Sequence, residues 1–157
     1  MSNYQHQLEK ARQIASEAGE ILMNYFGRAA ISEKSSQNLV KAISREFPDH
    51  LFLREEGEST ALGHEDHVWV IDPLDATNNY AHGIPHFSVS IAYAVKGTPV
   101  VGVVLDPVRQ EEFYAMQGEG AFLNGQRIST SNRKTLQESI IGTGFFYDRG
   151  ALMERTL

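Results

Sequence analysis

The 157-residue chain contains no cysteine. This absence excludes a disulfide framework, a thiol nucleophile and any zinc or iron–sulfur site that depends on cysteine ligands. Positive charge is also scarce, because 14 Lys and Arg residues stand against 20 Asp and Glu residues, for a formal net charge of −6. Nucleic acid is therefore a poor candidate partner, since phosphate backbones are bound by faces rich in Lys and Arg.

Long apolar segments are missing as well. No run approaches the roughly 18 residues needed to span a bilayer, and residues 100–105 form about the longest apolar stretch. The first residues are polar and lack the apolar segment of a signal peptide. We therefore expect a soluble, cytoplasmic protein without a membrane partner. Hydrophobic residues at 41% and charged residues at 22% are ordinary globular usage and fit one folded domain.

The spacing of apolar residues predicts two helices early in the chain. From Leu8 to Phe26 they recur at three- and four-residue steps, which is one helical stripe, and Gly27 is a plausible stop. A shorter pattern from Leu39 to Phe47 predicts a second helix, which Pro48 must end. The final residues, 151–157, resemble the first turns of another helix.

Strands are predicted after the second helix. The candidates are short apolar runs or segments with a two-residue alternation: 51–53, 67–71, 87–95, 99–105, 112–116 and a strand start at 139–144. The second of these closes at Asp72-Pro73, and Asn124-Gly125 is a strong hairpin signal. Strands joined by short polar turns beside helices predict an α+β fold, with an antiparallel sheet packed against helices.

Carboxylates cluster where the strand at 67–71 ends. Asp72 and Asp75 can converge at its carboxyl end, with the Leu74 carbonyl between them. Hard cations such as Mg²⁺ prefer carboxylate and carbonyl oxygens. Thr77 follows at the start of a short predicted helix, whose first N–H groups would suit a phosphate. A metal beside an anion site is typical of phosphoryl transfer.

Simpler interpretations stay open for each motif taken alone. Asp-Pro-x-Asp is also common turn chemistry, with Asp75 as a helix cap. Glu55-Glu56, directly after the first predicted strand, is compatible with a solvated loop. Residues 64–67 hold two histidines and two acids but favour a solvated loop over a zinc site, because no helix sets their spacing. The combination of two strands that each end in carboxylates favours a functional site.

Four segments together resemble the inositol monophosphatase family: Phe47-Pro-Asp-His, Glu55-Glu56, Trp69-Val-Ile-Asp-Pro-Leu-Asp-Ala-Thr-Asn and Gly118-Glu-Gly-Ala-Phe-Leu-Asn-Gly. The resemblance implies the N-terminal half of a layered αβαβα sugar-phosphatase fold. It implies a magnesium-dependent, lithium-sensitive phosphatase, acting on inositol phosphates or related sugar phosphate monoesters through a metal-activated water. It further implies a small-molecule phosphate monoester as ligand, and the formation of a homodimer.

The resemblance also assigns roles to individual residues. Glu55 would bind a metal ion and help to activate the attacking water. Asp72 would bridge two metal ions, the Leu74 carbonyl would bind the first, and Asp75 would bind the second. Thr77 would orient the water. The substrate phosphate would be held by backbone amides, those of Ala76 and Thr77.

This sequence departs from the family pattern in four places. No aspartate precedes Asp49, although the family carries a metal-site aspartate between the first helix and the Phe-Pro turn. The family's Trp-Asp-Ala-Ala-Gly motif, from a C-terminal half, is absent. Ala76 and Arg54 stand where the family usually has glycine. An alanine at residue 76 is strained if its φ angle must be positive.

These departures set the predicted organisation and activity. Residues 1–135 are predicted to form an N-terminal metal-binding α+β domain, and residues 136–157 the stub of a missing C-terminal domain. One metal site remains complete, from Glu55, Asp72 and the Leu74 carbonyl, and we expect weak or absent turnover from this chain alone. The alternative function is that of a non-catalytic family remnant that binds metal or phosphate, or pairs with a partner.

Overall fold

The computed structural model describes residues 4–28, 43–54 and 67–142. Its elements, in chain order, are α1 (Gln5–Tyr25), β1 (Leu51–Arg54), β2 (His67–Asp75), α2 (Thr77–Ala81), β3 (Ser88–Val95), β4 (Thr98–Asp106), β5 (Glu111–Met116), β6 (Gly120–Leu123) and β7 (Gln126–Ile128). Residues 43–46 are also helical, in agreement with the end of the predicted second helix. The helix predicted at 151–157 lies outside the described residues.

The described strands form one mixed sheet in the order β1 to β7. Neighbouring strands from β2 to β7 are antiparallel, whereas β1 pairs with β2 in parallel. The predicted α+β class, with a sheet packed against helices, is therefore confirmed, and the first pair is the exception to the antiparallel pairing. Side chains alternate with the same period in parallel and antiparallel strands, so the sequence pattern could not reveal this direction.

Two tight turns shape the antiparallel part of the sheet. Lys96 and Gly97 have φ angles of +53° and +75°, and Asn124 and Gly125 have +48° and +83°. Two-residue hairpin turns of this left-handed kind match the twist of the strands they connect, which confirms the hairpin predicted at Asn124-Gly125. The strand start predicted at 139–144 is wrong for residues 139–142, which are exposed and lie in no strand; residues 143–144 are outside the described part.

Helix α1 covers one face of the sheet. Its buried residues are Leu8, Ala11, Ile14, Ala15, Ala18, Gly19 and Leu22. They pack against inward side chains of β2, β3 and β4 that are almost fully buried, namely Trp69, Ile71, Val89, Ile91, Tyr93, Val101 and Val103. The helix comes so close to β4 that a β-carbon on Gly19 would lie 2.8 Å from the Leu105 side chain, so a larger residue there would require the Leu105 side chain to shift.

An ion pair fastens the helix to β5. The Arg12 guanidinium lies 2.7 Å from the Glu112 carboxylate and 4.2 Å from the centre of the Tyr114 ring. The hydrogen bond to Glu112 raises the pKa of Arg12 above its ordinary value. None of the helices in the described part combines the length and apolar character required to cross a bilayer.

The opposite face of the sheet carries no other described element. Val70, Val104 and Phe113 point to this face and keep 38–41% of their surface exposed. Because β3 alternates, its small polar residues Ser88 and Ser90 also lie here, while Val89 and Ile91 are buried under α1. We call this surface the outer face, and it carries the candidate site.

Candidate metal and phosphate site

A β-bulge in β2 brings the two predicted metal-binding aspartates onto one face. Asp72 lies opposite Ser90 and Asp75 lies opposite Ser88, and the register shifts between the two aspartates. Three steps along β2 therefore match two steps along β3, because the bulge absorbs one extra residue. Without it, residues three apart in a strand would point to opposite faces. Both carboxylates thus project from the outer face, at strand positions about 7 Å apart.

This geometry corrects the predicted end of the strand. The sequence suggested that the strand closes at Asp72-Pro73, whereas β2 continues through both residues to Asp75. Proline cannot donate a ladder hydrogen bond, so it is tolerated inside a sheet chiefly at bulges and edges. Pro73 was therefore the signal that could have revealed the bulge.

The chain between the two aspartates is held by local hydrogen bonds. The Leu74 N–H donates to Asp72 Oδ1 over 3.1 Å, and the Thr77 hydroxyl donates to the Leu74 carbonyl over 3.0 Å. A carbonyl oxygen has two lone pairs, so Leu74 keeps one for a cation. The Thr77 hydroxyl proton is directed to the Leu74 carbonyl. The lone pairs of the Thr77 hydroxyl oxygen are therefore left to accept a hydrogen bond, as from a water molecule.

Ala76 adopts the left-handed conformation that its sequence position made critical. Its φ and ψ angles are +66° and +48°, immediately before α2, whose N-terminus has no side-chain cap. Left-handed backbone is ordinary for glycine but costs an L-residue with a β-carbon roughly 1–2 kcal/mol. The conditional expectation of strain at Ala76 is therefore met: the backbone does require a positive φ at this residue.

Ala76→Gly is expected to raise the free energy of unfolding by about 1 kcal/mol, because glycine relieves the strained conformation. For a chain of this size the melting temperature should rise by about 2–4 °C, measurable by circular dichroism. Ala81→Gly is the matched control, because Ala81 is an exposed residue in ordinary helical conformation at the end of α2. It should lower stability. Equal losses in both variants would show that Ala76 is unstrained.

Asp75 receives support from the neighbouring strand. The Ser88 hydroxyl donates to Asp75 Oδ2 over 3.3 Å, across the β2–β3 pair. Ser88 is half-buried and Asp75 is exposed. The role of Ser88 was not predictable from the sequence, since a serine in an alternating strand carries no signal by itself.

A cleft of about 400 Å³ extends from Asp75 and Ala76 across the outer face. Its floor includes the apolar side chains of Phe87, Val104 and Phe113. Its polar lining consists of His86, Ser88, Asp106, Arg109 and Glu111. The volume lies within the range of small-molecule sites, and an apolar floor with a few polar groups is typical of them.

Arg109 is the cation of this cleft, and Asp106 holds it in place. The Asp106 carboxylate accepts hydrogen bonds from the Arg109 backbone N–H, over 2.9 Å, and from its guanidinium. Arg109 Nη1 also lies 3.3 Å from His86 Nδ1. Burial raises the pKa of Asp106, but the hydrogen bonds from Arg109 outweigh it, so the pKa lies below its ordinary value. Asp106 and Arg109 lie between two predicted strands, and no sequence motif predicted this pair.

The predicted site residues are therefore brought together as far as the structure describes them. Asp72, Leu74, Asp75, Ala76 and Thr77 lie in one stretch of chain at one edge of the outer face. Glu55 falls outside the described residues, and among those described no group of three His, Asp or Glu side chains could hold a metal ion. The donors present are all oxygens, two carboxylates and a carbonyl, which is the set that a hard cation requires.

Comparison with known proteins places the chain in a family. The sequence model of the inositol monophosphatase family matches residues 3–157, and the chain belongs to this family. A Pseudomonas aeruginosa relative named Nus factor SuhB is 49% identical over 118 residues, which are 73% of this chain and 43% of the relative. A Thermotoga maritima relative named fructose-1,6-bisphosphatase/inositol-1-monophosphatase is 38% identical over 152 residues. This match covers 87% of this chain and 58% of the relative.

Solved structures agree with this assignment. An inositol monophosphatase from Anabaena is 38% identical, with a TM-score of 0.77, and the match covers 84% of this chain and 52% of that one. The Thermotoga maritima IMPase is 34% identical, with a TM-score of 0.75, and the match covers 81% of this chain and 54% of that one. The chain thus spans about half the length of the relatives it matches. The family resemblance is confirmed, while the domain division at residue 135 stays a prediction.

Proposed function

We propose that this chain carries the metal- and phosphate-binding part of a magnesium-dependent phosphate monoesterase. The observation that supports this most is the bulge in β2, which puts Asp72 and Asp75 on one face beside the Leu74 carbonyl. A simple turn would not require two carboxylates on the same side of a sheet. Membership of the inositol monophosphatase family, and the Thermotoga maritima relative's printed name, support phosphate ester hydrolysis.

In this proposal, Glu55, Asp72 and the Leu74 carbonyl would hold one Mg²⁺ ion, and Asp75 would bind a second ion together with Asp72. When bound, Mg²⁺ lowers the pKa of water and neutralises charge on the phosphoryl oxygens. The Thr77 hydroxyl, whose proton goes to Leu74, accepts a hydrogen bond from the attacking water and fixes its direction. The backbone amides of Ala76 and Thr77 bind the phosphate.

The cleft supports a polyhydroxylated leaving group in the same proposal. It begins at Asp75 and Ala76, where the phosphate would bind, and continues towards Asp106, Arg109 and Glu111. These side chains offer both hydrogen-bond donors and acceptors that suit hydroxyl groups. Inositol phosphates and related sugar phosphates have this character.

Phosphate release from inositol 1-phosphate tests the proposal, with Mg²⁺ titrated from zero to tens of millimolar, a range suited to weak sites with few protein ligands. Asp72→Ala serves as the control for contaminating phosphatases. We expect slow, magnesium-dependent release that disappears in the control. Absence of release at every magnesium concentration would contradict catalysis by this chain and favour the second candidate, a non-catalytic family member that binds metal or phosphate.

A further inference from the structure

We infer that Ser88 is a positioning residue for the metal site, acting through Asp75. This inference rests on the proposed function, because it requires Asp75 to be a metal ligand. Ser88 lies directly opposite Asp75 in the β2–β3 register, and its hydroxyl donates to Asp75 Oδ2 over 3.3 Å. Among the described residues, this is the side chain seen to hold the Asp75 carboxylate.

The exposure of Asp75 makes such support consequential. Asp75 is exposed and lies at the end of the bulge, and Ser88 is the hydrogen-bond partner that the described residues provide for its carboxylate. Ser88 is half-buried at the first position of β3, next to the fully buried Val89, and is therefore the more constrained partner. A hydrogen bond from a rigid donor selects one orientation of a mobile carboxylate and lowers the entropy lost when a cation binds.

The hydrogen bond also gives the two carboxylate oxygens of Asp75 different roles. Oδ2 accepts the hydrogen bond from Ser88, which leaves the lone pairs of Oδ1 for a cation. Such a carboxylate binds through one oxygen in a defined direction, as octahedral Mg²⁺ requires. Partners of this kind typically change metal affinity 10- to 100-fold. We expect about tenfold, the lower end, because the contact is long and exposed.

Ser88 also lines the cleft, so loss of activity alone could reflect a lost substrate contact. The test therefore measures metal binding without substrate. Mn²⁺ takes the same oxygen ligands as Mg²⁺, and its free concentration can be followed by electron paramagnetic resonance. Ser88→Ala should raise the Mn²⁺ dissociation constant about tenfold. Ser88→Thr keeps the hydroxyl in a strand-compatible side chain and should restore binding to within twofold.

A double-mutant cycle separates positioning from a general structural effect. In an Asp75→Asn background, Ser88→Ala should have no further effect on the Mn²⁺ dissociation constant, since the group it orients no longer binds. Equal tenfold effects in both backgrounds, or unchanged binding in Ser88→Ala, would overturn the inference while leaving the proposed function intact. Failure of the unmodified chain to bind Mn²⁺ would instead overturn both. Melting temperatures of all variants verify that they are folded.

Discussion

Trp69→Ala is expected to lower the free energy of unfolding by about 3–5 kcal/mol, the usual cost of removing a fully buried tryptophan. The Trp69 side chain is 0% exposed, at the centre of the contact between the sheet and residues 43–50. Its ring lies 5.4 Å from that of Phe47 and 4.9 Å from that of Tyr93, and its indole N–H donates to His50 Nδ1 over 3.0 Å. Alanine would leave a cavity and an unpaired His50.

The matched variant Trp69→Phe separates the contribution of ring packing from that of the hydrogen bond to His50. Phenylalanine keeps most of the packing but cannot donate to His50, so we expect a loss of about 1–2 kcal/mol. Urea unfolding should be followed by far-ultraviolet circular dichroism, because Trp69 is the single tryptophan and its fluorescence is lost. Tyr25→Ala removes an aromatic ring that is 53% exposed and should change stability by less than about 0.5 kcal/mol. A Trp69→Ala loss equally small would contradict this account of the core.

The neighbourhood of Trp69 also accounts for the direction in which the pKa of His50 is shifted. Burial lowers the pKa of His50, and the nearby charge of His67 lowers it further, against an opposing effect of Asp49. The neutral ring is the form that can accept the Trp69 N–H at Nδ1. The packing and the hydrogen bond therefore favour the same state of this histidine.

Much of the fold follows from local patterns. The helical stripe from Leu8 predicted α1, and the alternation at 87–95 predicted β3 with its buried and polar faces. The Asn-Gly pair predicted a hairpin, because few residue types tolerate two consecutive positive φ angles. Each of these signals is carried by consecutive residues of one element, where propensity and periodicity are strongest.

Features that depend on distant pairing were not predictable. The parallel direction of β1 depends on how residues 51–54 meet β2, which no local pattern encodes. The same holds for the hydrogen bond between Ser88 and Asp75, 13 residues apart. The bulge was missed for a different reason: Asp-Pro is so common in turns that the strand was ended at Asp72. The residue types of the candidate site could thus be predicted from the sequence, but the geometry that puts them on one face could not.

Asp72→Asn is expected to abolish stabilisation of the chain by Mg²⁺, whereas Asp75→Asn should only weaken it. A ligand present at ten times its dissociation constant stabilises a protein by about 1.4 kcal/mol, and a tenfold weaker site reduces this to about 0.4 kcal/mol. Asp72 is half-buried and fixed by the Leu74 N–H, and by family resemblance it would contact both metal ions. Asp75 is exposed and would contact one.

Chemical unfolding with and without Mg²⁺ measures these differences directly, even if turnover is slow. Asparagine preserves the size of each side chain and removes its charge, so the comparison reports the carboxylate itself. Asp49→Asn is the control, since Asp49 is an exposed carboxylate just before β1, at the end of the β1–β2 pair opposite Asp72 and Asp75, and it should keep the full magnesium effect. Equal losses in the Asp72 and Asp75 variants would contradict the unequal roles. An unchanged magnesium effect in Asp72→Asn would show that the cation binds elsewhere, because a site centred on the bulge cannot survive without its more buried carboxylate.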